Sequence, residues 1–168
     1  VKRVTLIVGL PGSGKTHLAI DQYFTKDYAV IFIDDPKVVE DITDSLKRAE
    51  THGNTQDIVV CDPNLVFPGN VEKATALFNK FGYSVDEVIY FENDPEKAEF
   101  NCRRREAFLD KYKPIEKRGP INILHFSQNY VIPKDVIPRP IYCPERERDL
   151  PTDPSEQTSN TRTDKDTQ

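Results

Sequence analysis

The sequence predicts an α/β domain in which a parallel β-sheet is covered by helices on both faces. Three observations carry this. Short apolar runs alternate with stretches of helical periodicity along the first 130 residues. The runs are apolar nearly throughout rather than at every second position, as strands buried on both faces require. The first run leads directly into a glycine-rich loop and then a helical pattern, in the segment Val4 to Phe24.

Taken in order, Val4–Val8 is the first strand, ending at the glycine-rich loop. Gly14–Phe24 reads as a helix with Leu18, Ala19 and Tyr23 or Phe24 on its buried side. Ala29–Ile33 is the second strand. Asp35-Pro36 then supplies an N-cap and a proline at the first helical position, opening a helix expected to reach about Glu50. Asp57–Cys61 is the third strand, closed by Asp62. Ala74, Leu77, Phe78 and Phe81 recur at helical spacing, so Val71–Phe81 is a helix, stopped by Gly82. Val85–Phe91 is the fourth strand, and Asp94-Pro95 repeats the cap signal for a helix to about Lys111. A further helix is expected over Ile121–Tyr130, and a short edge strand over Pro140–Cys143.

At 168 residues the chain is one domain by length. Residues 1–143 form the expected folding unit. Residues 144–168 hold one large apolar side chain, Leu150, among Pro, Thr, Ser, Asp, Glu and Arg. That composition cannot bury enough surface to offset its ordering entropy, so a disordered polar tail is expected. The net charge is −5, of which the tail supplies −3, so the folded part is near neutral and does not announce a nucleic-acid binder. A local basic patch stands against this. Lys97, Arg103, Arg104, Arg105, Lys111, Lys113, Lys117 and Arg118 outnumber the acids Glu99, Glu106, Asp110 and Glu116.

Cys61, Cys102 and Cys143 are an odd number without close spacing, which argues against a disulfide framework and fits a reducing cytosol. Scattered histidines without CxxC disfavour structural zinc. No run approaches the length of a membrane span, and the immediate entry into a strand leaves no room for a signal peptide, so a cytoplasmic protein without membrane partners is expected.

The strongest chemical signal is Gly9-Leu10-Pro11-Gly12-Ser13-Gly14-Lys15-Thr16, which fits the P-loop (Walker A) pattern G-x-x-x-x-G-K-[ST] in full. Glycines let the backbone wrap a phosphate, and the loop N–H groups with the following helix N-terminus turn positive ends towards it. Gly12, Ser13 and Gly14 would form the cradle, Lys15 would reach the β- and γ-phosphates, and the Thr16 hydroxyl would ligate Mg²⁺. The expected ligand is ATP or GTP with Mg²⁺.

Three further positions join it. In Ile33-Asp34-Asp35-Pro36, Asp35 is the helix cap, which leaves Asp34 at the carboxyl edge of the second strand. That edge faces the ligand crevice of an open parallel sheet, so Asp34 is either a general base for an attacking hydroxyl or a solvated loop acid. Asp62, ending an apolar strand after a P-loop, has the position of a carboxylate beside the metal or its waters. In the helix after the fourth strand, Asn101, Arg104 and Arg105 share a face. Arg104, or Arg105 if the register differs by one, is placed to steady a transferring phosphoryl group from a helical lid, whereas Arg103 reads as solvated.

This order of motifs resembles the phage polynucleotide 5′-kinases over about residues 1–130. The resemblance implies that Asp34 is the general base, that Arg104 is the lid arginine and that Lys37 binds the acceptor's phosphate. It also implies that Asp62 and Asn64, in Cys61-Asp62-Pro63-Asn64-Leu65, support the active site. The chain departs from the family at Lys37, which stands for an arginine and lacks its bidentate fork, and at Phe100, where a second lid arginine is often found. The phosphatase domain that some such kinases carry has no counterpart in this sequence. The expected reaction is γ-phosphate transfer to a nucleic-acid hydroxyl, on DNA or RNA: a 5′ end, or a hydroxymethyl group on a modified base. The alternatives are a small-molecule or nucleoside kinase and a nucleotide-binding module without transfer.

Overall fold

The structure, a computed structural model, describes residues 2–23, 30–34, 43–44, 46–47, 57–112 and 122–143. Four strands form one parallel sheet in the order β2-β3-β1-β4. They are β1 (Lys2–Val8), β2 (Val30–Asp34), β3 (Asp57–Cys61) and β4 (Tyr83–Tyr90). The helices are α1 (Lys15–Tyr23), α2 (Asn70–Lys80), α3 (Pro95–Tyr112) and α4 (Ile123–Asn129), and a 3-10 turn (Pro63–Val66) follows β3. The fold is thus α/β with a parallel sheet, as the alternation of apolar runs predicts.

The central strands show why their sequences are apolar without alternation. Val4, Leu6, Ile7 and Val8 of β1 are fully buried, and Ile58 to Cys61 of β3 nearly so. Consecutive residues of a strand point to opposite faces, so both faces of β1 and β3 are covered. Each such side chain contributes about 1.5–3 kcal/mol of burial. The connection leaving β1 crosses past β3 to β2, and the one leaving β3 crosses past β1 to β4. Right-handed crossovers in opposite directions put α1 and α2 on opposite faces. Tyr23 at the end of α1 donates to Glu87 of β4 at 3.0 Å, while Phe78 of α2 meets Tyr83 edge-to-face.

The cap signals at Asp94 and Gly82 act as the sequence indicates. Asp94 Oδ1 accepts the Lys97 N–H at 3.0 Å and starts α3, and the Gly82 N–H returns to the Asn79 carbonyl after α2. Of the helix expected from Asp35 to Glu50, Thr43, Asp44, Leu46 and Lys47 are described, and all four are helical, with Leu46 fully buried; the rest lies outside the described residues. The tail 144–168 and the expected residues 121, 113–118 and Lys37 lie outside them too.

One expectation is corrected. Pro140–Cys143 is not an edge strand: the chain there makes a single parallel bridge, Phe91 to Arg139. The Arg139 N–H donates to Tyr90 O and its carbonyl accepts from the Glu92 N–H, each at 2.8 Å. The next N–H that would face β4, that of Ile141, is donated to Glu92 Oε1 at 2.8 Å instead, so the ladder stops after one bridge. The fourth helix is also shorter than expected, because Asn122 caps it by accepting the His125 N–H.

Candidate functional site

The carboxyl ends of the strands bring the predicted site residues to one edge. The connections of adjacent β1 and β3 diverge, which makes the crevice between their ends the switch point of the sheet. The glycine-rich loop fills the β1 side. Asp62 follows β3, and Asp34 closes β2 opposite Cys61. The Asp34 side chain and all of Lys37 lie outside the described part.

Within the loop, Gly12 and Gly14 have φ of 82° and 97°, a conformation that L side chains rarely adopt. The Ser13 N–H donates back to Leu10 O at 3.1 Å, and the Leu18 N–H to Gly14 O at 3.0 Å is the first bond of α1. The helix therefore presents its first-turn N–H end at the loop. Lys15 is 7% exposed, and its Nζ donates to the Gly9 and Leu10 carbonyls, each at 2.8 Å. The Ser13 hydroxyl, 2% exposed, has no hydrogen-bond partner among the described residues. Such a buried hydroxyl costs about 1–3 kcal/mol until it is satisfied.

The loop is seated on α3. A Cβ at Gly12 would stand 2.2 Å from the Ala98 carbonyl oxygen and 2.7 Å from Cys102 Sγ. Asn101 Nδ2 donates to Gly12 O and to Tyr142 O, both at 3.1 Å. Gly12→Ala is accordingly expected to cost about 2–4 kcal/mol, combining a left-handed backbone with an overpacked contact. Gly14→Ala meets nothing within 4 Å and should cost about 1–2 kcal/mol from the backbone alone. Urea midpoints of the two variants measure the difference, and equal shifts would mean that α3 does not brace the loop.

At the neighbouring strand end, Asp62 caps the 3-10 turn. Its Oδ1 accepts from the Asn64 N–H at 2.8 Å and from Asn64 Nδ2 at 3.0 Å, and Asn70 Nδ2 donates to the Asn64 carbonyl at 2.8 Å. The two residues paired by the resemblance are thus hydrogen-bonded, with Asn64 orienting the Asp62 carboxylate. On α3, Arg104 and Arg105 are exposed. Arg103 is ion-paired with Glu99, one turn earlier, as expected for a solvated face. Lys97 is engaged as well, with Glu92 at 2.8 Å and Asp94 at 3.6 Å, and the hydrogen bond it donates to Glu92 raises its pKa. Two bases of the predicted patch are therefore spent on local acids.

Sequence reasoning did not find Glu92 or Tyr130. Glu92 Oε1 takes both Lys97 Nζ and the Ile141 N–H at 2.8 Å, tying the 139–143 segment to the start of α3. Tyr130 donates to Phe91 O at 2.6 Å, and its oxygen lies 3.2 Å from Val8 O, just before the glycine-rich loop. Burial pushes the Tyr130 pKa up, so it stays a neutral donor there. No periodicity signals either contact.

The chain matches no protein-family model. It is similar to an uncharacterized protein of Acanthamoeba polyphaga mimivirus. The two are 26% identical over 141 residues, covering 78% of this chain and 88% of the relative. No described helix is long and apolar enough to cross a membrane. The three cysteines are buried thiols.

Proposed function

We propose that the chain is a P-loop phosphotransferase that moves the γ-phosphate of ATP or GTP onto a hydroxyl of a nucleic-acid acceptor. One observation carries this: the P-loop sequence occupies the end of β1, with Asp62 at the end of β3 and Asp34 at the end of β2, in one row along the carboxyl edge. The strand order and the buried Lys15 in the loop mouth support a P-loop NTPase fold, and the motif order supports kinship with the polynucleotide 5′-kinases.

The residues present fit a triphosphate and a hard cation. The loop backbone turns through two left-handed glycines, and the ammonium of Lys15 sits at its mouth. Among the described residues no three His, Cys, Asp or Glu side chains gather into a metal site. Mg²⁺ would then be held by Thr16, directly or through water by Asp62, and otherwise by phosphate and water, as this cation prefers. When bound it neutralises charge on the β- and γ-oxygens. Lys15 exchanges its two carbonyls for phosphate oxygens. Asn64 keeps the Asp62 carboxylate in place. Asp34 accepts the acceptor hydroxyl's proton. Arg104, exposed on α3 one turn after Asn101, steadies the charge that shifts as the phosphoryl group passes.

Arg104→Ala should lower kcat by about 10²-fold with little change in KM for ATP, because a contact made in the transition state costs rate rather than ground-state binding. If Arg105→Ala has that signature and Arg104→Ala is silent, the acting residue is Arg105.

The test of the acceptor is γ-labelled ATP offered to oligonucleotides with 5′-hydroxyl ends, oligonucleotides with hydroxymethyl bases and free nucleosides. Label on an oligonucleotide is expected. Label on nucleosides alone would establish the small-molecule reading, and nucleotide binding without acceptor-dependent turnover would establish the binding module. An oligonucleotide KM should also rise with salt. A flat response would remove the oligonucleotide.

A further inference from the structure

The segment 141–143 carries an aromatic ring that the fold does not use. Ile141 and Cys143 are 2% and 1% exposed, whereas Tyr142 between them is 68% exposed. The alternation is that of extended chain, with two side chains in the core and the middle one directed outward. Large exposed aromatic rings are costly to leave in water, and this one stands on a backbone fixed at both sides. The Ile141 N–H is held by Glu92, and the Tyr142 carbonyl is held by Asn101. The same Asn101 amide nitrogen donates to Gly12 in the glycine-rich loop. One side-chain amide therefore ties the Tyr142 backbone to the crown of the loop.

We infer that Tyr142 is the stacking platform for the nucleobase of the bound nucleoside triphosphate, with Asn101 as the positioning residue that holds platform and phosphate loop in register. The inference rests on the P-loop reading and extends it to the far end of the same ligand. A triphosphate seated in the loop leaves its nucleoside outside, and Tyr142, whose backbone carbonyl shares the Asn101 amide with Gly12, offers it an exposed aromatic face. An aromatic face pre-set by the backbone loses little rotamer freedom when a base settles on it. Because every base has a π-face, stacking alone discriminates weakly between bases. The chain is therefore expected to take ATP and GTP with similar affinity.

The experiment measures binding of ATP, GTP and inorganic tripolyphosphate, each with Mg²⁺, by calorimetry on the full chain and its Tyr142→Ala and Tyr142→Phe variants. Tripolyphosphate carries the phosphates and no base. Tyr142→Ala should weaken ATP and GTP by about tenfold, the lower part of the range for loss of a base–aromatic stack. Tripolyphosphate should bind all three proteins equally, and Tyr142→Phe should keep wild-type affinity for both nucleotides. The exposed position makes the variants tolerable to the fold, and their melting temperatures check this. The inference is overturned if Tyr142→Ala leaves ATP binding unchanged while tripolyphosphate still binds. It is overturned equally if Tyr142→Ala weakens tripolyphosphate as much as ATP, since Tyr142 would then act on the loop. If the wild-type chain binds neither ATP nor tripolyphosphate, the P-loop reading itself fails and takes this one with it.

Discussion

Lys15→Ala is expected to abolish phosphotransfer, with turnover down on the order of 10³-fold, the upper range for losing one preorganised donor. The side chain is almost wholly buried at the start of α1 and holds two loop carbonyls. On the proposed reading that ammonium exchanges neutral carbonyls for charged phosphate oxygens, which are the stronger acceptors. No second lysine stands in the loop to replace it. Release of γ-phosphate from labelled ATP and the affinity for tripolyphosphate should both fall. The melting temperature has to be read beside them, because the freed Gly9 and Leu10 carbonyls lose a partner worth about 1–3 kcal/mol if they stay dry. A folded Lys15→Ala protein with wild-type turnover would end the P-loop assignment.

Asp34→Asn should lower kcat by about 10²–10⁴-fold, the contribution of a positioned base. The substitution keeps the size and most of the hydrogen bonding but cannot accept a proton. Affinity for ATP should stay nearly unchanged for a topological reason. β2 is separated from β1 by β3, so the end of β2 lies roughly 10 Å from the end of β1, two strand spacings away. That distance suits an acceptor hydroxyl rather than the donor's phosphates. The control is Asp35→Asn, at a residue outside the described part that the sequence assigns to a helix cap. Asn also caps well, so that change should cost about 1 kcal/mol of stability or less and no rate. Loss of transfer in Asp35→Asn with full activity in Asp34→Asn would move the base one residue along the chain.

Much of this arrangement is legible in the sequence because local rules dominate it. The third strand has its expected limits, Asp57–Cys61, since an unbroken apolar run leaves no other register. Asp94 and Pro95 start α3 where a cap and an N1 proline must. The P-loop is read from the order of its residues alone. What was not legible depends on contacts distant in the chain. Asn101 reaches Gly12 across 89 residues, and nothing in Phe100-Asn101-Cys102 distinguishes a brace from a surface amide. The Glu92–Lys97 pair likewise takes a charge from a patch whose composition counts it as available. The 3-10 turn after Asp62 is too short for any period to reveal, although it is what pairs Asp62 with Asn64. At Pro140–Cys143 the apolar letters suggest a strand, but the Ile141 N–H goes to the Glu92 side chain instead of to the neighbouring strand.

The seat of Gly12 on Ala98, Asn101 and Cys102 bears on how α3 can move. A rigid swing of the whole helix would tear those contacts, so any hinge has to lie beyond Cys102. Arg104 comes two residues later, about 3 Å further along the axis. Its backbone therefore stands within one turn of the anchored contacts. If Arg104 acts on the phosphoryl group as proposed, an arginine mounted this close to the anchor is in position before the nucleotide arrives. Its contribution then requires no conformational closure, and product departure need not wait for a gate at this residue to reopen.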